Sequence, residues 1–239
     1  MTNMDNNIDD FFQGKIKLFQ PSYKATSDAV LLGSSVKAKS GSKILDVGCG
    51  NGAISIIAKY HNNDCEVFGI DINEQEIENA KKSAKINGLD VNFLNFDIKT
   101  NPLKNESFDF VVTNPPYFKE GTLSKGDTKK LAHHERDISL QEWLNFCVRR
   151  VCYRGFISII IDIVRIPEVI SILNEKCGAI RLFPLYSKEN DICKRAIVKA
   201  RKESKEPFSI AKGLILHNED GSYTENANEI LRNAKILEI

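Results

Sequence analysis

The chain has 239 residues, 42% of them hydrophobic and 27% charged, with a formal net charge of +1. Such a composition belongs to a globular protein with one well-buried core, and the near-neutral balance excludes a globally basic nucleic-acid binder while leaving local patches open. No apolar run reaches membrane-spanning length, and the start "MTNMDNNIDDFF" lacks the basic and apolar parts of a signal peptide, so a cytoplasmic location with no membrane partner is expected.

In chain order, "GKIKLFQPSYK" alternates as a strand does, and "SDAVLLGSSVK" reads as a short helix capped by Ser27. From Lys43 onward, short apolar runs alternate with helical patterns, the signature of a parallel α/β sheet. "KILDV" is a strand, "GAISIIAKYH" a helix and "EVFGID" a strand. "NEQEIENAKKSAKING" is a helix closed by Gly88. "VNFLNFD" and "FDFVVT" supply two more strands. "SLQEWLNFCVRRVCY" has helical period, with Ser139 as N-cap and Glu142 placed for a capping box, and Trp143 on its apolar face reads as core. "FISIIIDI" is a buried strand, "IPEVISILNEKC" a helix, and "AIRLFPLY" with "RAIVKAR" a closing pair of strands. The sum is an α/β fold of seven strands with helices on both faces. After it, "LILHNEDGSYTENANEILRNAK" reads as a strand, a turn at Asp220-Gly221 and a terminal helix. A single domain is expected over 1–239: an N-terminal extension (1–42), a cofactor-binding core (43–202) and a C-terminal strand and helix (203–239).

Cys49, Cys65, Cys147, Cys152, Cys177 and Cys193 form no C-x-x-C pair and lack nearby histidines, so reduced core cysteines and no metal site are expected.

Chemistry concentrates at the strand ends. In "ILDVGCGNGAIS" the glycines Gly48, Gly50 and Gly52 lie between a strand and a helix, where glycine permits a tight turn and lets backbone N–H groups approach a ligand. With Ala53 the run also satisfies a loose dinucleotide fingerprint, and Asp71 ends the next strand where a ribose-gripping acid is expected. Asp46, ahead of the glycines, puts an anion where a pyrophosphate would suffer and an ammonium would be welcome. Asp97, ending the strand after that, is placed to accept from an adenine amino group. An adenosine body with a cationic amino-acid tail fits this distribution, which is S-adenosylmethionine; a nicotinamide cofactor remains the competing reading.

"DVGCGNG", "GIDIN", "NFDI" and "NPPY", in that order and spacing, resemble a class I S-adenosylmethionine-dependent adenine-N6 methyltransferase. More narrowly, with "FQPSYKATSDAVLL" upstream and "LILHNEDGSYTENANEI" near the end, the chain resembles the bacterial tRNA1(Val) (adenine-37-N6)-methyltransferases over most of residues 16–230. It departs from them in reading "YRGF" where they have a Pro-Gly-Gly turn, and in lacking a proline within "IDIVR". The resemblance implies a Rossmann-like sheet, parallel with an antiparallel closing strand, and tRNA as partner. It implies that Gly48, Gly50 and Gly52 pass beside the amino-acid tail of the cofactor, with Asp71 on ribose and Asp97 on adenine. Ile72 would be an apolar wall, Ile98 a backbone N–H donor, and Thr26 a contact to the cofactor carboxylate or simply a helix cap.

The run "FDFVVTNPPYFKEG" then ends in a catalytic turn. Asn114 offers a side-chain oxygen and Pro115 a backbone carbonyl, two acceptors for the two N–H groups of an exocyclic amine, with Pro116 stiffening the pair. Tyr117 is placed to stack on a target base drawn out of its own stack. Between Lys119 and Arg136, the segment with Lys125, Lys129, Lys130, His133, His134 and Glu135 is either a phosphate grip or a solvated connector. A glutamine methyltransferase acting on release factors uses the same clamp, but such enzymes carry a helical domain ahead of the cofactor motif, and here that motif begins at Ile44. DNA adenine methyltransferases normally add a large target-recognition region. A catalytically silent binding module has no use for an intact NPPY.

Overall fold

Five apolar runs become neighbouring parallel strands at the centre of the molecule. The computed structural model describes residues 7–22, 24–100, 103–116 and 138–239. Strands β1 (Ile8–Phe11) and β2 (Ile16–Phe19) form an antiparallel hairpin, followed by helix α1 (Ser27–Ser34). Then come β3 (Lys43–Val47), α2 (Ala53–His61), β4 (Glu66–Asp71), α3 (Glu74–Asn87), β5 (Asn92–Asn95) and β6 (Phe108–Thr113). The second half supplies α4 (Leu140–Arg150), β7 (Val151–Asp162), α5 (Ile166–Asn174), β8 (Cys177–Tyr186) and β9 (Arg195–Lys202). Two-residue strands β10 (Ser209–Ile210) and β11 (Leu214–Ile215) and helix α6 (Glu225–Leu231) close the chain.

The sheet runs β10-β8-β9-β7-β6-β3-β4-β5, with β11 also on β8. Strands β3 to β7 are mutually parallel, and β9 is antiparallel to both β7 and β8. The seven expected core strands are β3 to β9; β11 is the strand expected at "LILH", and β10 is an addition. Helices α1, α2, α3 and α6 bury one face, with Leu31, Leu32, Ile56 and Ile57 fully covered. Helices α4 and α5 bury the other through Leu144, Cys147, Val169 and Leu173. Each such fully buried side chain contributes about 1.5–3 kcal/mol.

Capping follows the sequence closely at α3 and α4. Asn73 accepts from Gln75 and Glu76 backbone N–H groups, Gly88 ends α3 at φ +62°, and Ser139 with Glu142 makes the reciprocal capping box. Helix α1 differs: Ser27 is its first helical residue, and the N-cap is Thr26, whose side chain makes no capping bond. The C-terminal end of α4 also differs. "VCY" continues the helical pattern, yet the helix stops at Arg150 because Val151 pairs with Phe108 of β6. The pairing then shifts to Phe110 with Phe156, leaving Arg154 at φ +63° in a bulge. The "YRGF" stretch is therefore a kink inside a 12-residue strand. Cys49, Cys65, Cys147 and Cys177 are buried, Cys152 and Cys193 half-buried, and all six are free. Among the described residues no helix is long and apolar enough to cross a membrane.

Candidate active site

Strand order reverses at β3: the chain proceeds from β3 outward to β5 on one side, then returns to lay β6 on the other. In open α/β sheets that switch point opens a crevice at the carboxyl ends of the strands. Val47 pairs with both Ile70 and Thr113, and Asp71 with Asn95, so four strand ends stand side by side. From them emerge the glycine loop, Asp71-Ile72, Asp97-Ile98 and Asn114-Pro115-Pro116. The residues of these motifs are thereby gathered along one edge; Thr26 comes instead from the start of α1, and Tyr117 and the segment 119–136 lie outside the described residues.

Within the loop, Gly48 adopts φ +73°, and a Cβ there would lie 2.8 Å from Cζ2 of Trp143. Gly50 adopts φ +52°, and a Cβ would meet nothing within 4 Å, so conformation rather than crowding requires glycine and the approach stays open. The N–H groups, however, do not line the crevice as expected. Gly48 and Cys49 donate to the Ile70 carbonyl at 2.8 and 2.9 Å, Gly50 to the Asp71 carboxylate at 2.8 Å, and Gly52 to the Cys49 carbonyl at 2.9 Å. The turn consumes these donors in closing onto β4. A pyrophosphate would find few of them free, which weighs against the dinucleotide reading.

The loop is instead surrounded by acceptors. Asp71 accepts from Gly50 and Asn73, one N–H on each oxygen at 2.8 Å, and an ionised carboxylate retains further lone pairs for a pair of hydroxyls. Its pKa is raised, chiefly by burial. Asp46 is 0% exposed. Its Oδ2 accepts from the Ser55 hydroxyl at 2.6 Å, and its Oδ1 has no partner among the described residues. Burial first, with Asp71 adding repulsion, pushes the Asp46 carboxyl up to about 7 against the pull of Ser55. Asp46 therefore influences the crevice from behind the loop and does not line it. Two neighbouring acids, the buried Asp46 with an orphaned oxygen, suit a cation and oppose an anion.

On the far side of β4, Ile72 is 48% exposed at the strand end, an apolar surface turned outward. Asp97 anchors its own turn, accepting from the Lys99 N–H at 2.9 Å, while the Ile98 N–H has no partner among the described residues. Thr26 is exposed and its hydroxyl unengaged among the described residues, which leaves it available as a contact. What holds it near the loop is Gln20, only 2% exposed. The Gln20 amide oxygen accepts from the Ala25 N–H and from Asn51 Nδ2, the latter at 3.1 Å.

At the end of β6, Asn114 is half-buried, Pro115 buried and Pro116 half-buried. No hydrogen bond among the described residues engages the Asn114 side chain. Immediately before it, Thr113 is fully buried, donates to the Val47 carbonyl at 2.8 Å and accepts from the Trp143 indole N–H at 2.9 Å. Gln20, Asn51, Thr113 and Trp143 were not legible as site residues. Their signal is in contacts that span 30 or 31 residues.

A family model described as a methyltransferase domain matches residues 38–201. Among curated proteins, a tRNA1(Val) (adenine(37)-N6)-methyltransferase of Haemophilus influenzae is 27% identical over 146 residues. That match covers 58% of this chain and 61% of that protein, less than two thirds of its length. A protein of the same description from Mannheimia succiniciproducens is 26% identical over 208 residues, covering 84% of this chain and 83% of its own. Among solved structures, a predicted O-methyltransferase from Agrobacterium tumefaciens superimposes with a TM-score of 0.73 at 20% identity, over 89% of this chain and 98% of that one.

Proposed function

The chain belongs to the methyltransferase-domain family, and from that premise we propose that it methylates the exocyclic N6 amine of an adenine in tRNA, adenine 37 of tRNA1(Val), with S-adenosylmethionine as donor. The names of the relatives support the substrate. The acceptor-rich crevice supports the donor. A cytoplasmic location, where tRNA is met, is part of the same reading. The observation that carries it is the register of Val47 with Thr113, which sets Asn114 and Pro115 directly beside the glycine loop.

When bound, S-adenosylmethionine supplies an electrophilic methyl group on a positively charged sulfur. Asp71 would hold its ribose, Asp97 its adenine and Ile72 the ring face, with the glycine loop and Thr26 beside the amino-acid tail. The charge of Asp46 and Asp71 favours a cationic ligand. The target amine is a poor nucleophile because its lone pair is delocalised into the base. Asn114 Oδ1 and the Pro115 carbonyl accept its two N–H bonds, draw the nitrogen towards a tetrahedral shape and free the lone pair. Two prolines hold both acceptors at fixed separation, so no reorganisation is needed during the reaction. The methylated, cationic amine sheds its proton to water without a strong base. Tyr117, by the resemblance, stacks on the extruded base, a contact of about 1–3 kcal/mol in single-strand binders.

Asn114→Ala tests the clamp. Turnover on total tRNA from cells lacking the enzyme, followed by nucleoside mass spectrometry, is expected to fall about 100- to 1,000-fold, by loose analogy with losing one oxyanion-hole donor. Binding of S-adenosylhomocysteine by calorimetry should change little. A parent enzyme that leaves tRNA unmethylated but modifies a release-factor glutamine would overturn the substrate.

A further inference from the structure

Trp143 makes a polar contact that a purely apolar core position does not require. It stands in the first turn of α4, whose start is fixed by the Ser139–Glu142 capping box, with the Glu142 N–H on Ser139 Oγ at 3.1 Å and the Ser139 N–H on Glu142 Oε2 at 2.8 Å. From that position the half-buried indole reaches two strand ends at once. Its N–H donates to Thr113 Oγ1 at 2.9 Å, and Thr113 spends its single hydroxyl proton on the Val47 carbonyl at 2.8 Å. The relay has only one polarity, because indole is a donor and the carbonyl an acceptor. The edge of the same ring occupies the space beside Gly48 that a Cβ would need, 2.8 Å from Cζ2. One side chain thus meets Thr113, the last paired residue of β6 and the one before Asn114, and Gly48, the first residue past β3 and the first glycine of the cofactor loop.

We propose that Trp143 is a positioning residue that sets the distance between the amine clamp and the glycine loop, through Thr113 on one side and Gly48 on the other. This rests on the methyltransferase reading above. The sheet fixes Val47 against Thr113, but the segments that follow have left the ladder. The ring joins the last paired residue of β6, Thr113, to the first residue past β3, Gly48. A clamp displaced by about 1 Å from the reacting geometry costs on the order of 100-fold in rate.

Trp143→Phe keeps an aromatic ring and removes the N–H; Thr113→Val keeps the volume and removes both bonds; Thr113→Ser keeps the hydroxyl. The first two are expected to lower kcat on tRNA about 10- to 100-fold, with KM for S-adenosylmethionine within about threefold of the parent, whereas Thr113→Ser retains most activity. The double variant should be no worse than the more damaged single one, since both break the same relay. Trp143 is also the only tryptophan in the chain, so indole emission reports on it alone. S-adenosylhomocysteine should change that emission in the parent, and Thr113→Val should abolish at least half of the change. Unaltered kcat in Trp143→Phe and Thr113→Val, or equal losses of kcat, cofactor affinity and melting temperature, would reduce Trp143 to packing. Should the parent leave tRNA unmodified, the substrate reading fails and the fluorescence arm alone decides the relay: an undiminished emission change in Thr113→Val overturns it.

Discussion

At Asp46, burial sets the charge and pH sets the consequence. The carboxyl titrates near 7 in the folded chain and at 3.8 when unperturbed. Between those values the unfolded chain has released the proton that the folded chain still holds. Stability is therefore lost as pH rises through that window, by an amount on the order of a few kcal/mol. Asp46→Asn keeps an acceptor for Ser55 and removes the titration. It is expected to melt above the parent at pH 8, with the gap narrowing towards pH 4; a gap independent of pH would show that Asp46 is ionised throughout. A bound cation favours the ionised acid, so S-adenosylmethionine should bind more tightly at pH 8 than at pH 6. It should also release protons near pH 7, read by calorimetry in two buffers of different ionisation enthalpy, and Asp46→Asn should suppress that release. The acids and glycines were legible because the motifs place each at or just past a strand end, Asp97 in the turn two residues after β5. Trp143 was not, because one aromatic on an apolar helical face carries no mark of the threonine 30 residues earlier to which it donates.

Among the elements, β7 shows where periodicity stops being sufficient. Val151, Cys152 and Tyr153 fit either the end of α4 or the start of a strand, and only Phe108, 43 positions earlier, selects the strand. The bulge that follows separates two kinds of glycine requirement. Arg154 has the positive φ, whereas Gly155 lies where a Cβ would stand 2.9 Å from the Asp109 carbonyl oxygen. Gly155→Ala is expected to cost about 1–3 kcal/mol in urea unfolding, as overpacking against backbone does. Arg154→Gly should be near neutral, since relief of the left-handed strain is offset by a freer unfolded chain. Equal effects of the two would mean that strain, not space, governs the kink. Helix α3, with cap signals at both ends, was legible to its ends, and α4 at its capped start. Strand β1, four residues with two adjacent aspartates, was not, because its partner β2 and Gln20 supply what its own composition lacks; Gln20 Nε2 donates to Asp9 at 2.7 Å.

For the whole molecule, we propose that residues 1–239 unfold as one unit. The terminal extensions share the central core: Leu214, Ile230 and Leu237 pack in the same cluster as Leu31 and Ile56, and the Leu237 N–H donates to the Ser34 carbonyl at 2.9 Å. Calorimetry should give a single transition with equal calorimetric and van't Hoff enthalpies, and a chain ended after Lys202 should melt lower. Two resolved transitions would make the extensions independent pieces. The placement of β9 between β7 and β8 has a consequence in time. Strand β8 is made before β9, yet its only long partner among the described residues is β9. During synthesis, residues 177–186 emerge as an apolar strand with no seat in the sheet, and remain so until residues 195–202 have followed them out of the ribosome. In that interval β7 and β8 both present unpaired edges, open to pairing with another chain.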